Sequence, residues 1–127
     1  HYFRDFFYCD SGMLPWLLIC ELLGRSGKSL SELTRRRILM FPSSSECNFS
    51  VNNSNKIMKS ISKFYRKESI NTDYLDGISM EMKDWRFNLR SSNTENILRL
   101  NVESRGDQSL LRSKLVEISE MINRLES

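Results

Sequence analysis

The residues best suited to chemistry lie in one short polar connection, from Arg90 to Asn96. It reads Arg-Ser-Ser-Asn-Thr-Glu-Asn, which places a guanidinium, three hydroxyls and two side-chain amides within a single turn. A guanidinium presents a planar fork of donors to a phosphate, and successive backbone N–H groups in a turn form an anion-binding concavity. These residue types predict an oxyanion site. On composition alone, a turn whose polar side chains satisfy their own backbone is the favoured interpretation.

Other reactive residue types offer little. The one histidine, His1, stands at the end of the chain, so neither histidine catalysis nor a histidine metal site is supported. The three cysteines are widely spaced and form no Cys-x-x-Cys pair, which predicts reduced thiols rather than disulfides or a zinc site. Asp10 is interpreted as a helix-start residue, and Asp76-Gly77 and Asp84 as turn residues. We therefore predict neither a catalytic residue nor a metal ligand in this chain.

The polar turn is flanked by the clearest structural signal in the chain, which is three segments of alternating apolar and polar residues. The apolar positions are Ile78, Met80 and Met82, then Trp85, Phe87 and Leu89, then Leu98, Leu100 and Val102. Alternation with a period of two predicts strands that each bury one face. The polar turn then joins the second of these strands to the third, and the strand ends fix its position.

Two helices complete the C-terminal pattern. One is predicted from about Ser54 to Lys67, after a short strand at 47–51, with Ile57, Ile61, Phe64 and Tyr65 on one face. The other follows Asp107, with an apolar stripe of Leu111, Leu115, Ile118, Ile122 and Leu125. Strands joined by short turns, with two helices to cover them, favour an α+β fold. We predict an antiparallel four-stranded sheet with both helices on one face.

The N-terminal part has a different organisation. A helix is predicted from Ser11, with stop signals at Gly24 and Gly27, and Ser29 and Glu32 have the spacing of a capping box for a second helix that ends at Pro42. Apolar residues surround most of the first helix, so it requires cover on more than one side. We predict a domain boundary in the polar joint at 43–45, with residues 1–42 as the helical tail of a preceding domain.

Charge and hydropathy exclude several classes. The 19 Lys+Arg against 16 Asp+Glu give a net charge of +3, too small for a dedicated nucleic-acid binder. The basic sets at 35–37 and 56–67 are interpreted as solvated helix faces. The longest apolar run, Met13–Cys20, is shorter than the roughly 20 residues of a membrane span, so we expect no membrane partner and a cytoplasmic location. Because the chain starts with His1 rather than Met, we treat it as part of a longer one.

These motifs resemble a known family. The segment Arg90-Ser91-Ser92-Asn93-Thr94-Glu95, with Asp84–Leu89 before it and Arg99–Asp107 after it, resembles the C-terminal domain of bacterial phosphomannomutases, in the α-D-phosphohexomutase superfamily. The resemblance extends through Asp73–Met80. It also covers His1–Phe6 and Cys9–Leu18, which resemble the end of the third domain of that family. The lysine-rich stretch 46–69 resembles the family least.

The resemblance implies a four-domain enzyme that interconverts mannose 6-phosphate and mannose 1-phosphate through a phosphoserine and a bisphosphate intermediate, assisted by Mg²⁺. This chain would supply the end of domain three (1–42) and a TATA-box-binding-protein-like domain four (43–127). Carried over residue by residue, the substrate phosphate-binding loop falls on Arg90, Ser92, Asn93 and Thr94. It would hold the phosphate that is not transferred and orient the reacting oxygen through remote binding.

The chain also departs from the family pattern. Asn96 stands where proline is usual, so the exit of the loop is expected to be looser. The phosphoserine motif, the metal loop and the sugar-selecting loop are absent from the sequence. We therefore expect the missing upstream domains as partners, Mg²⁺ ligands outside this chain, and no turnover by the chain alone. The alternative is a stand-alone anion- or nucleic-acid-binding module without catalysis.

Overall fold

The structure is a computed structural model, and it describes residues 2–127 of the chain. These residues form two compact units, one up to Arg37 and one from Ile38 to Ser127. The polar connection that carries the candidate site lies entirely in the second unit.

The first unit is mainly helical. Strands β1 (Tyr2–Phe3) and β2 (Cys9–Asp10) pair antiparallel on either side of a 3-10 turn at Arg4–Phe6, and α1 (Met13–Ser26) follows. Of the two predicted stop signals, Gly27 is confirmed: its φ of 62° ends α1 in a left-handed turn after Ser26, whereas Gly24 lies within the helix. Large apolar side chains of α1, among them Trp16 and Leu18, are exposed, so the expected cover is not supplied within the described residues.

Helix α2 (Leu30–Met40) begins at the predicted capping box. The Ser29 backbone N–H donates to Glu32 Oε2 at 2.9 Å, and the Glu32 N–H donates to Ser29 Oγ at 3.3 Å. The Ser29 hydroxyl also donates to Glu32 Oε2 at 2.8 Å, and the backbone and side-chain hydrogen bonds from Ser29 lower the pKa of the Glu32 carboxyl. The helix ends at Met40, two residues before Pro42, at which the sequence predicted its end.

The second unit is a mixed α+β domain, as predicted. Its elements are β3 (Cys47–Ser50), α3 (Ser54–Tyr65), β4 (Asn71–Asp73), β5 (Ile78–Glu81), β6 (Trp85–Ser91), β7 (Ile97–Ser104) and α4 (Gln108–Glu126). The strands form one antiparallel sheet in the order β3-β7-β6-β5-β4. The sheet has five strands rather than the predicted four. The additional strand, β4, is a three-residue polar edge strand without alternation, so periodicity gave no signal for it.

The core lies between one face of the sheet and the two helices. The nine apolar residues predicted from alternation in β5, β6, β7 and the residue after β5 are all buried. Helix α3 buries Ile57, Met58, Ile61 and Tyr65. The placement of Phe64 on the buried face was wrong, because its side chain is 58% exposed; its ring packs against the Tyr65 ring in a T-shaped arrangement. Leu111, Ile118, Met121 and Ile122 of α4 complete the core.

One polar interaction lies at the edge of this core. The Tyr65 hydroxyl donates to Glu117 Oε1 at 2.6 Å, and Lys114 Nζ donates to Glu117 Oε2 at 2.8 Å. Burial, reinforced by the hydrogen bond to Glu117, raises the pKa of Tyr65 far above its usual range. For Glu117, burial acts to raise the pKa, but the hydrogen bonds from Lys114 and Tyr65 outweigh it and the pKa is lowered. The trio thus links α3 to α4.

Candidate functional site

The predicted loop connects two central strands and is held at both ends. The Ser92 N–H donates to the Ile97 carbonyl at 2.8 Å, which closes the turn between β6 and β7. The Asn96 carbonyl accepts from the Val51 N–H at 2.9 Å, so the exit of the loop is tied to the end of β3. The expectation of a looser exit at Asn96 stays a prediction, but this residue does have a fixed backbone partner.

Within the loop, several donors face no protein acceptor. Ser92 Oγ lies 3.4 Å from Thr94 Oγ1 and accepts from the Thr94 N–H at 3.4 Å. Over residues 2–127, no hydrogen bond involves the Asn93 side chain or the backbone N–H groups of Asn93, Glu95 and Asn96. Asn93 and Thr94 are exposed, and Ser92 is half-buried. Free N–H groups in a tight turn are the donor arrangement that an anion requires.

Arg90, one of the predicted phosphate-binding residues, has acidic neighbours that the sequence did not indicate. It is the next-to-last residue of β6, its side chain is 39% exposed, and two carboxylates flank its guanidinium. Nη2 donates to Glu46 Oε2 at 3.1 Å, and Nη1 lies 3.5 Å from Asp76 Oδ2. A guanidinium has further N–H groups, so it retains donors for a ligand beside these two ion pairs. The structure therefore adds two acidic neighbours to Arg90, and among the other three predicted residues it joins Ser92 to Thr94.

Glu46 bridges two arginines. Arg90 on β6 lies directly opposite Arg99 on β7, and like charges in such a cross-strand pair repel. Glu46 precedes β3, and its second oxygen lies 3.7 Å from Arg99 Nη1. The Nε atom of Arg99 is buried and has no hydrogen-bond partner among the described residues. The carboxylate of Glu46 thus offsets the repulsion and fixes one side of the Arg90 guanidinium.

Asp76 reaches Arg90 because its turn lies directly against β6. Gly77 has a φ of 75°, and a Cβ added there would meet the Leu89 carbonyl and come within 2.7 Å of Arg90 Cα. The Asn88 side-chain amide donates to the Asp76 carbonyl at 3.2 Å. Only glycine permits this contact. The Asp76-Gly77 turn predicted from sequence is present, and its contact with Arg90 is what the sequence did not reveal.

The face of the sheet opposite the helices is open and polar. It carries a groove of about 470 Å³ that reaches Arg90 and Glu46 and is lined by Asn88, Asn101 and other polar residues. The Arg86 guanidinium donates to Glu103 Oε2 at 2.9 and 2.7 Å in this groove. The face is therefore occupied by paired charges rather than by one dominant sign.

Residues considered for other functions occupy different places. Lys56, Lys59 and Lys63 are exposed on α3, on the side away from the core, as interpreted from the sequence. Trp85 and Phe87 are buried in the core and are not available for base stacking. No helix of residues 2–127 has the length and apolarity to cross a bilayer. In the same range no group of three or more His, Cys, Asp or Glu side chains is placed to hold a metal ion.

Comparison with known proteins gives the class to which this fold and loop belong. Residues 46–121 match the family model of the phosphoglucomutase/phosphomannomutase C-terminal domain. Residues 1–40 match the model of the alpha/beta/alpha domain III of the same proteins. The chain belongs to the phosphoglucomutase/phosphomannomutase family, which confirms the resemblance found in the sequence.

Individual relatives agree with this assignment. The chain is 52% identical over 122 residues to the phosphohexose mutases of Xanthomonas campestris pv. campestris, 96% of this chain and 27% of that relative. It is 50% identical over 123 residues to a phosphomannomutase of Salmonella montevideo, 97% of this chain and 27% of the relative. It is 50% identical over 127 residues to a phosphomannomutase of Vibrio cholerae, which covers 99% of this chain and 27% of the relative. The chain thus spans about a quarter of the length of these relatives.

Proposed function

We propose that this chain is the substrate phosphate-binding part of a phosphomannomutase, with Arg90, Ser92, Asn93 and Thr94 as the residues that hold the phosphate. The observation that carries the proposal is the set of unpartnered donors in residues 93–96, in the loop that follows Arg90, in a chain of this family. Charge-assisted hydrogen bonds from such donors bind a phosphate dianion well. The names of the relatives support mannose phosphates as the substrate class.

The same proposal assigns the chemistry to parts of the enzyme outside this chain. Residues 1–42 are the end of domain three and residues 43–127 are domain four. The exposed apolar side chains of α1 are then covered by the rest of domain three. A phosphoserine and Mg²⁺ ligands on upstream domains carry the transfer, and the enzyme acts in the cytoplasm. The role of the loop is to hold the non-reacting phosphate and thereby orient the reacting oxygen.

A titration of the isotope-labelled chain, followed by amide NMR, tests this function. Mannose 6-phosphate and inorganic phosphate should each shift the amides of Ser92, Asn93 and Thr94, and mannose should not. Arg90→Ala should weaken binding about tenfold or more, because hydrogen bonds to charged groups contribute about 1.5–3 kcal/mol. Arg86→Ala removes an arginine from the same strand and face and should leave binding nearly unchanged.

Two results would contradict the proposal. One is a phosphate response that survives Arg90→Ala or arises away from the loop. The other is strong binding of duplex DNA through the lysines of α3, which would favour a nucleic-acid-binding module. Activity has its own test: the chain alone should show no conversion of mannose 6-phosphate, and measurable turnover would overturn the assignment of catalysis to other domains.

A further inference from the structure

The two carboxylates beside Arg90 differ in how firmly they are held. Glu46 accepts a hydrogen bond from Arg90 at 3.1 Å and also faces Arg99, and its side chain is 42% exposed. Asp76 lies at 3.5 Å from Arg90, without hydrogen-bond geometry, and its side chain is 76% exposed. An exposed ion pair at that separation contributes little to stability. Of the two carboxylates, Asp76 is therefore the one that a stronger anion replaces readily.

The position of Asp76 is nevertheless set by the backbone. Gly77 contacts the backbone of Leu89 and Arg90, and the Asn88 amide holds the Asp76 carbonyl. Upstream, Asp73 Oδ1 accepts the Leu75 N–H at 2.9 Å and shapes the start of the same turn. The turn is therefore held by contacts that do not involve the Asp76 carboxylate.

We propose that Asp76 is an exchangeable counterion of Arg90, displaced when a phosphate binds at the loop, and that Glu46 is a positioning residue that keeps the guanidinium directed there. This inference rests on the proposed function of the loop. In the free chain, Asp76 neutralises one edge of the guanidinium. In the bound chain, the phosphate takes that edge, while Glu46 retains Nη2 and prevents the side chain from turning away.

The inference has a measurable consequence for affinity. A ligand that must displace Asp76 loses the free energy of that ion pair, so Asp76→Asn should bind inorganic phosphate about two- to fivefold more tightly than the wild type. The Asp76→Asn substitution removes the competing negative charge but keeps the backbone carbonyl of residue 76, which the Asn88 side chain contacts. Because the side chain is exposed, the variant should fold like the wild type, which its amide spectrum will show.

Glu103→Gln is the matched control. It removes one negative charge from the same sheet face, but its partner is Arg86 rather than Arg90. Arg90 lies opposite Arg99, and Glu103 is four residues from Arg99 along β7, which is about 13 Å at strand spacing. Charges at that distance are largely screened at 0.1 M salt. An affinity gain from net charge alone would be shared by both variants. A gain from displacement should be confined to Asp76→Asn.

The experiment is a titration of wild type, Asp76→Asn and Glu103→Gln with inorganic phosphate, followed at the Ser92–Thr94 amides and at the side-chain carboxyl carbons. We expect tighter binding only in Asp76→Asn, and in the wild type a larger shift for the Asp76 carboxyl than for Glu46. Equal affinities in all three, or weaker binding in Asp76→Asn, would overturn the exchange and leave the loop function intact. No loop response in the wild type would overturn both.

Discussion

The contact between Gly77 and β6 allows a quantitative test of how the fold positions Arg90. An alanine at 77 would have to adopt a φ near 75°, which costs about 1–2 kcal/mol for a residue with a Cβ. Its Cβ would also lie 2.7 Å from Arg90 Cα and 2.8 Å from Arg90 Cβ, and overpacking of this kind costs about 1–3 kcal/mol. Gly77→Ala should therefore destabilise the second unit by about 2–5 kcal/mol.

Gly106→Ala separates these two contributions. Gly106 has a similar φ of 71°, but the nearest atom to an added Cβ is the Met40 carbonyl oxygen at 3.9 Å, an ordinary contact. This variant should lose only the conformational part, about 1–2 kcal/mol. The difference between the two variants, about 1–3 kcal/mol, measures the close approach of the turn to Arg90.

Urea unfolding followed by fluorescence provides the assay. The chain has two tryptophans, and in a Trp16→Phe background the buried Trp85 alone reports on the second unit. The slopes should remain equal among the variants, so that midpoints report stability. Equal losses in Gly77→Ala and Gly106→Ala would refute the argument that the turn is packed against β6. In that case the placement of Asp76 beside Arg90 would lose its support.

Other predictions concern the stability of the second unit. The raised pKa of Tyr65 means that its contribution is present below the unfolded value of about 10 and is lost as pH rises above it, so thermal midpoints should fall between pH 9 and 11. Tyr65→Phe should cost about 1.5–3 kcal/mol at pH 7 in urea unfolding and flatten that alkaline decline; an unchanged slope would contradict it. Asn53→Ala removes the α3 cap, which accepts the Lys56 N–H at 3.0 Å, and should cost about 1 kcal/mol by the same assay. Ile118→Ala should cost about 2–5 kcal/mol through the cavity it leaves in the core, and a loss below 1 kcal/mol would show that the site is not close-packed.

The central sheet could be predicted because each of its strands buries one face and leaves the other polar. That asymmetry appears in the sequence as alternation of apolar and polar residues, and the buried residues of β5, β6 and β7 follow it except at Ser104, which is buried and polar. Strand β4 could not be found in this way, because it is an edge strand whose residues are polar on both sides. It is held by its pairing with β5 and by the Ile70 N–H, which donates to the Glu81 carbonyl at 2.8 Å.

The candidate site likewise has a part that could be predicted from the sequence and a part that could not. The loop residues are contiguous, so their types alone indicated an anion site. Glu46 lies 44 residues from Arg90 and reaches it only because β3 pairs with β7 and β7 with β6. Asp76 reaches Arg90 only because the turn at Gly77 lies against the backbone of β6. The Asp-Gly pair was a signal for a turn, but the sequence contained nothing that indicated which strand the turn would touch.

The most direct test of the account is a crystal structure of the chain with mannose 6-phosphate bound. We predict the phosphoryl oxygens at hydrogen-bond distance, about 2.7–3.2 Å, from the Arg90 guanidinium and from donors of Ser92, Asn93 and Thr94, with Nη2 of Arg90 still on Glu46. A phosphate bound elsewhere, with the loop empty and Arg90 still paired with both Glu46 and Asp76, would contradict the central claim.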